Sequence, residues 1–296
     1  LCRHCSLVFT PPRPSPAELD HFYRADYRRE YKRSWSPKPR HVLRAGNVAL
    51  DRLAYLLPIL DGKKRILDIG CGGGEMLFML RQLGFDADGL EPNEGYGTAA
   101  RDFLELPVQL TSYQNAVIEP GSRDVIVSFH VLEHLLDPVH ALQSFGGWLK
   151  EDGLMLIEVP NVFSRCQWPA SRYHRGHLQH FSVSTLSHAG RLAGLEAIDS
   201  FTSADGGNLM VVFAKQRSAR RETTFCLGGH AERVEQHLRH HTALSHALSG
   251  EPWIRPARKL ATGLRERAFL LRHSDPRRIL QQLVTQAREL MASHLM

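Results

Sequence analysis

Between residues 65 and 93, the alternation of apolar and polar positions predicts a strand, a turn, a helix and a second strand. Ile66, Leu67 and Ile69 form a short apolar run, which is typical of a strand buried on both faces. Residues 76–80 and Leu83 have the spacing of a mostly buried helix, and Gly84 stands where such a helix ends. Residues 87–90 then predict a second strand, parallel to the first.

Helical spacing also occurs at both ends of the chain. Residues 18–31 place Leu19, Phe22, Tyr23 and Tyr27 near one helical face, and residues 41–60 predict an amphipathic helix. Leucines at helical spacing in residues 216–296 predict two to four further amphipathic helices, without a visible catalytic constellation. Such helices could cover a substrate pocket, mediate dimerisation, or bind an acidic carrier or a membrane surface.

The turn between the two predicted strands carries the candidate chemistry. It reads D-x-G-x-G-x-G from Asp68 to Gly74, and a turn without β-carbons lets a ligand lie against the backbone. Glu91 ends the second strand, where a carboxylate can accept both hydroxyls of a ribose. Asp68 is a poor neighbour for phosphates and a good one for ammonium and sulfonium groups. These residues therefore predict S-adenosylmethionine rather than a dinucleotide.

The chain resembles the class I S-adenosylmethionine-dependent methyltransferases over about residues 41–215. Besides the glycine turn, the resemblance rests on DVIVSF (124–129), HVLEHLLDP (130–138), LMLIEVPN (154–161), HLQHFSVSTLSHAGRLAGLE (177–196) and NLMVVFAK (208–215). The branch it is most similar to acts on small molecules and includes sugar C-methyltransferases and quinone O-methyltransferases. It implies a doubly wound, mostly parallel α/β sheet of seven strands with an antiparallel last strand, followed here by a helical C-terminal extension.

The resemblance also implies roles for individual residues. The expected cofactor-binding residues are Asp68, Gly70, Cys71, Gly72, Gly74, Glu91, Pro92 and Asn93, with Ser128, Phe129 and His130 beside the methionine portion. The expected catalytic residues are His177 as a base, His180, and Tyr27 from a lid over the pocket. Sugar-methylating relatives have Glu-His where this chain has Gly176-His177, so their mechanism does not transfer directly. Glu133 and His134 have two open interpretations, a site role or a structural role at a helix entry.

The N-terminal segment opens on Cys2-Arg3-His4-Cys5, half of a four-thiolate zinc knuckle. The residues that follow are similar to a segment of relatives with an N-terminal zinc ribbon, in which another C-x-x-C lies upstream. We therefore expect Cys2 and Cys5 to be zinc ligands in a longer, untruncated protein. The predicted domains are a partial zinc ribbon and lid (1–40), a methyltransferase domain (41–215) and a basic helical extension (216–296).

Charge differs by region in this 296-residue chain. The net charge is −8 over residues 65–215 and +7 in each flank. The acidic middle has the wrong sign to hold a phosphate backbone by itself, which disfavours nucleic acid as a partner.

No apolar run is long enough for a transmembrane segment, and five scattered cysteines predict a reducing cytoplasm. The predicted function is methyl transfer to a small molecule such as a sugar nucleotide, polyketide or quinone-like ring. An RNA or DNA methyltransferase and a non-catalytic scaffold remain alternatives.

Overall fold

The structure, a computed structural model, describes residues 1–171, 173, 176–216, 228–249 and 251–295. Within these residues the strands are β1 (Val8–Phe9), β2 (Arg65–Ile69), β3 (Asp86–Leu90), β4 (Val108–Gln109), β5 (Arg123–Phe129), β6 (Leu149–Pro160), β7 (Gln179–His180), β8 (Leu195–Thr202) and β9 (Asn208–Lys215). The α-helices are α1 (Pro16–His21), α2 (Tyr27–Lys32), α3 (Pro39–Leu56), α4 (Glu75–Gln82), α5 (Glu94–Thr98), α6 (Pro138–Trp148), α7 (Val183–Leu192), α8 (His230–His240), α9 (Ala243–Ala247), α10 (Glu251–Leu270) and α11 (Pro276–Leu295).

Seven strands form one sheet in the order β4-β3-β2-β5-β6-β9-β8. β2 pairs in parallel with β3, and β3 with β4. β9 is antiparallel to both β6 and β8, so the antiparallel strand near the end of the chain is where the sequence predicts it. The predicted fold class, with its C-terminal helices, is confirmed.

The chain divides into two compact units, and one of them comprises residues 15–127 and 261–296. In this unit α11 packs on α3. A Cβ atom on Gly46 of α3 would lie 2.5 Å from Leu283 Cδ1 and 3.2 Å from Leu280 Cδ2, so the two helices approach as closely as glycine allows. Leu280 and Leu283 are buried. The last helix therefore contributes buried side chains to the core of this unit.

A short helical segment precedes α3 in the same unit. Ser15 begins it with a capping box, in which its side chain accepts from the Glu18 N–H while the Glu18 carboxylate accepts from the Ser15 N–H. A π-helical turn, Phe22–Asp26, joins α1 to α2. The Tyr23 and Tyr27 rings lie 5.2 Å apart between centroids, and Phe22 contacts both. The aromatic face that the spacing predicts is therefore present.

The other unit comprises residues 1–14 and 128–260. α6 begins at Pro138, and the Asp137 side chain caps it by accepting from the His140 N–H at 2.9 Å. β1 and β7 form a small antiparallel pair, and Val8 packs with Val162 and Val234 of α8. None of the helices in the described part of the chain is both long and apolar enough to cross a bilayer.

Candidate active site

The glycine loop and Glu91 meet because of strand register. Ile69 at the end of β2 pairs with Leu90 at the end of β3, so the residues that follow both strands emerge at the same edge of the sheet. Gly70, Gly72 and Gly74 have φ values of 75°, 61° and 82°, which residues with a Cβ atom rarely adopt. The loop can therefore turn tightly against its neighbour strand.

Glu91 is bound directly to this loop. Its Oε2 accepts from the Gly72 N–H at 2.7 Å, and its Oε1 accepts from the Asn93 N–H at 2.8 Å. The residue is 4% exposed. Each carboxylate oxygen keeps acceptor capacity beyond these single bonds. The predicted ribose carboxylate is thus fixed in orientation by the backbone on both sides.

Asp68 is a buried carboxylate at the end of β2. It is 2% exposed, and burial raises the pKa of Asp68 to about 7, with Arg52 opposing this effect and Glu91 and Glu75 adding to it. Burial also raises the pKa of the neighbouring Cys71 thiol, which packs against the backbone of Gly89. A buried acid of this kind is unfavourable unless a cation compensates it.

Asn93 links the loop after β3 to the segment that carries Tyr27. Its side-chain amide donates to the carbonyls of Tyr23 at 3.1 Å and Arg24 at 3.2 Å, and its Oδ1 caps α5 by accepting from the Tyr96 N–H. The two acceptor carbonyls belong to the π-helical turn. The predicted lid is therefore anchored two residues from Glu91, while Pro92 between them is partly exposed.

A second cluster of polar residues lies in the other unit, around His130. This residue follows β5 with a φ of 57°, and its N–H donates to the Glu158 carbonyl. Its Nδ1 lies 3.2 Å from Glu133 Oε1 and its Nε2 lies 3.0 Å from Glu158 Oε1. Burial alone would lower the pKa of His130, but hydrogen bonds with the two carboxylates outweigh the effect of burial and raise the pKa.

The two residues before His130 were also predicted to line the cofactor. Ser128 is fully buried, and its hydroxyl has no hydrogen-bond partner among the described residues. Phe129 is partly exposed.

The histidines of the HLQHFS passage join this cluster. His177 Nε2 lies 4.0 Å from Glu133 Oε1, and its ring contacts the His134 ring with centroids 4.8 Å apart. His134 is buried, and its Nδ1 is 2.7 Å from the Gly176 carbonyl. His180 is also buried, and its Nε2 is 3.1 Å from the Thr10 hydroxyl. Glu133 and His134, for which two interpretations were open, are thus packed against the passage that carries the predicted base.

The thiols of Cys2 and Cys5 lie in a turn at the N-terminus. Backbone N–H groups of Cys5 and His4 lower the pKa of Cys2, whereas burial raises the pKa of Cys5. Over the described parts of the chain, the one group of three side chains with ligand atoms close enough for a metal is Glu133, His134 and His177. Zinc binding by the two cysteines stays a prediction.

The predicted residues therefore fall into two sets. One unit contains Asp68, the glycine loop, Glu91, Asn93 and Tyr27, and the other contains His130, His177 and His180.

Sequence reasoning missed Glu158, although a signal was present. It is a single carboxylate inside the apolar run of β6, and a charged residue in a buried strand is uncommon without a partner.

This sheet order, with a glycine loop after the first core strand and a carboxylate at the end of the next, defines a class I methyltransferase fold. A family model described as a methyltransferase domain matches residues 28–200. The match covers more than half of the sequence, and the chain belongs to this family.

Similar proteins include two curated ubiquinone biosynthesis O-methyltransferases. The one from Glaesserella parasuis is 32% identical over 143 residues, covering 43% of this chain and 58% of that protein. The one from Paraburkholderia phymatum is 34% identical over 140 residues, covering 44% and 58%. The match thus spans less than two thirds of the length of these relatives.

A solved structure shares the fold. The 1,6-didemethyltoxoflavin-N1-methyltransferase of Burkholderia thailandensis, with bound 1,6-didemethyltoxoflavin and S-adenosylhomocysteine, aligns with a TM-score of 0.53 at 15% identity, over 71% of this chain and 94% of that chain.

Proposed function

We propose that the chain binds S-adenosylmethionine and transfers its methyl group to a small-molecule acceptor. The observation that carries this proposal is the junction between the glycine loop and Glu91, where the Gly72 N–H holds the carboxylate at 2.7 Å. This junction supports adenosine binding, because the carboxylate stands at the carboxyl ends of two parallel strands with its orientation fixed. Relatives that are ubiquinone biosynthesis O-methyltransferases support a small, hydroxylated acceptor.

Asp68 supports a positively charged cofactor rather than a diphosphate. Burial raises the pKa of this carboxyl, and the positive charge of Arg52 opposes that effect only in part. Bound S-adenosylmethionine supplies an electrophilic methyl group on a sulfonium. In this proposal Asp68 stabilises the cationic end of the ligand, and Glu91 holds its ribose.

On the acceptor side, we keep His177, His180 and Tyr27 as the proposed catalytic residues. His177 retains some exposure, with 18% of its side chain accessible, whereas His180 is 5% exposed and is bound to Thr10. His177 is therefore the better placed of the two histidines to meet an acceptor. Tyr27, partly exposed on α2, is proposed to contact the acceptor from the lid.

The location and partners complete the proposal. A cytoplasmic enzyme is consistent with the absence of a disulfide among the described cysteines, Cys2, Cys5, Cys71 and Cys166. Partner contact through the C-terminal helices is proposed on the exposed leucines of α9 and the segment after it, Leu244 and Leu248.

The test is a transfer assay with methyl-labelled S-adenosylmethionine. The full chain is incubated in parallel with a panel of small phenols and catechols, with total tRNA and with duplex DNA. The proposal expects label in the extractable small-molecule fraction. Label confined to nucleic acid would overturn the small-molecule assignment, and no cofactor binding by the folded chain would overturn the methyltransferase assignment itself.

A further inference from the structure

The side chain of Asn93 joins two segments that are distant along the chain. It is buried, and its Oδ1 accepts from the Tyr96 N–H of α5 at 3.1 Å. Its Nδ2 donates to the carbonyls of Tyr23 at 3.1 Å and Arg24 at 3.2 Å, both in the π-helical turn. A backbone N–H can only donate and a carbonyl can only accept, so this amide orientation is the one that satisfies all three contacts. The amide therefore holds the π-helical turn against the start of α5.

The backbone of Asn93 is bound to the candidate ribose carboxylate. Its N–H donates to Glu91 Oε1 at 2.8 Å, while Glu91 Oε2 accepts from the Gly72 N–H at 2.7 Å. Under the proposed function, the two ribose hydroxyls of the cofactor donate to these same two oxygens. A bound ribose would fix Glu91 and, through Glu91, the position of Asn93.

Other contacts of the lid segment, which we define as residues 16–35, fall on the same short loop. Arg24 forms an ion pair of 2.9 Å with Glu94, but both side chains are at least half exposed, so the pair contributes little. Trp35 packs on the backbone of Gly95, in the space that a Cβ atom would occupy. These contacts lie on the residues that directly follow Asn93.

The first half of the lid segment has little buried surface to stabilise it. Neither α1 nor the π-helical turn contains a buried residue. Segments with few buried contacts open at a low free energy, and π-helical turns occur frequently at functional sites. The two hydrogen bonds from Asn93 are therefore a substantial part of what keeps this segment closed.

A helix cap alone does not explain an asparagine at this position. The cap uses Oδ1, and aspartate, serine or threonine caps a helix about as well. The chain itself caps other helices with Ser15, Asp137, Ser182 and Thr242. Only the contacts with Tyr23 and Arg24 require the amide nitrogen of Asn93.

We propose that Asn93 is a positioning residue that couples occupancy of the cofactor site to closure of the lid segment. This inference deepens the proposed function and rests on it. All the residues involved belong to one compact unit. Because Tyr27 is carried by the lid segment, the surface it offers an acceptor is complete only after the cofactor is bound. The reaction is then ordered, with S-adenosylmethionine binding before the acceptor.

Coupling of this kind is reciprocal. The factor by which the ligand stabilises the closed lid equals the factor by which the closed lid tightens ligand binding. Removing the amide donor should therefore weaken the ligand's affinity and abolish its effect on the lid by the same factor. A residue that only supports the local fold would loosen the lid equally with and without ligand.

The experiment is hydrogen–deuterium exchange of the full chain with and without S-adenosylhomocysteine, with calorimetry to measure its affinity. In the wild-type chain we expect the ligand to slow exchange over residues 16–35 by at least about tenfold, as one or two net hydrogen bonds would. Asn93→Asp keeps the shape and the cap but loses the amide donor. It should lose this slowing and bind the ligand about tenfold more weakly, while ligand still protects residues 70–74.

Two further variants serve as controls. Asn115→Asp makes the same substitution at an exposed asparagine of the same unit and should behave like the wild-type chain. Asn93→Ser retains a capping hydroxyl without adding charge, and it should reproduce the effect of Asn93→Asp.

The outcomes separate this inference from the proposed function. If the wild-type chain binds S-adenosylhomocysteine but exchange over residues 16–35 is unchanged, or if Asn93→Asp keeps the full slowing, the coupling is overturned and the proposed function survives. Complete loss of binding in both Asn93 variants would assign the residue to the ribose site itself and also overturn the coupling. A folded wild-type chain that does not bind the ligand would overturn both.

Discussion

Replacing Asp68 by asparagine tests how burial affects the carboxylate at the end of β2 in the candidate cofactor site. Burial raises the pKa of Asp68 from 3.8 to about 7. A difference of this size between the unfolded and folded states corresponds to about 4 kcal/mol of stability lost at pH above 7. An asparagine side chain has almost the same shape as the protonated acid and does not titrate. The variant should therefore be more stable than the wild-type chain in alkaline solution.

The sign follows from proton binding. Between about pH 4 and pH 7 the folded state holds a proton at Asp68 that the unfolded state has released, so the stability of the wild-type chain falls as pH rises through this window. The stability advantage of Asp68→Asn should thus grow by about 3 kcal/mol between pH 5 and pH 8. Groups unaffected by the substitution cancel in this difference.

The assay is urea unfolding of both proteins at pH 5 and pH 8 without ligand. Asp86→Asn is the matched control, because Asp86 begins β3 and 68% of its side chain is exposed. The stability gain at pH 8 should be confined to Asp68→Asn. If the difference between Asp68→Asn and the wild-type chain is the same at pH 5 and pH 8, the carboxylate does not titrate near neutral pH and the reasoning on its burial is refuted. A stabilised variant with weaker S-adenosylmethionine binding would show that the acid is kept for its ligand.

Two packing predictions concern the helices. Gly190→Ala should destabilise the chain by about 1–3 kcal/mol, because its Cβ would lie 2.2 Å from the Phe213 ring, whereas Gly147→Ala meets no atom within 4 Å and should cause no loss. Leu280→Ala, fully buried on α11, should cost about 2–5 kcal/mol, whereas Leu271→Ala, 88% exposed, should change stability by less than about 0.5 kcal/mol. Urea midpoints measure all four, and equal effects within either pair would contradict the packing.

The sheet was predictable because apolar residues recur at short spacing in its strands and glycine marks the turn after β2. β2 and β3 are found where residues 65–69 and 87–90 predict them, and Glu91 follows directly. The contacts of Glu91 with Gly72 and Asn93 follow from parallel register, which the spacing already implies.

The polar cluster was less accessible to sequence reasoning. Glu133 and His134 lie far from His177 along the chain, and their meeting depends on the backbone bond between the Leu178 N–H and the Glu133 carbonyl. Glu158 enters from a third segment. Local patterns identify such residues singly, whereas long-range packing determines which of them share a site.

The packing of α11 on α3 is a second feature of this kind. Leucine spacing predicts an amphipathic helix over residues 277–291, but not which surface covers its apolar face. The structure shows that the Leu280 and Leu283 side chains pack against Gly46 of α3, in the space that a Cβ atom would occupy. A glycine in a helix interior is a signal of close approach, although the sequence does not name the partner.

Calorimetric titration of the full chain with S-adenosylhomocysteine tests the central claim most directly, with Glu91→Ala and the exposed Glu119→Ala as the matched pair. We predict micromolar binding by the wild-type chain and by Glu119→Ala, and its loss in a folded Glu91→Ala. A folded wild-type chain that does not bind S-adenosylhomocysteine and binds NAD⁺ instead would contradict the proposed cofactor site.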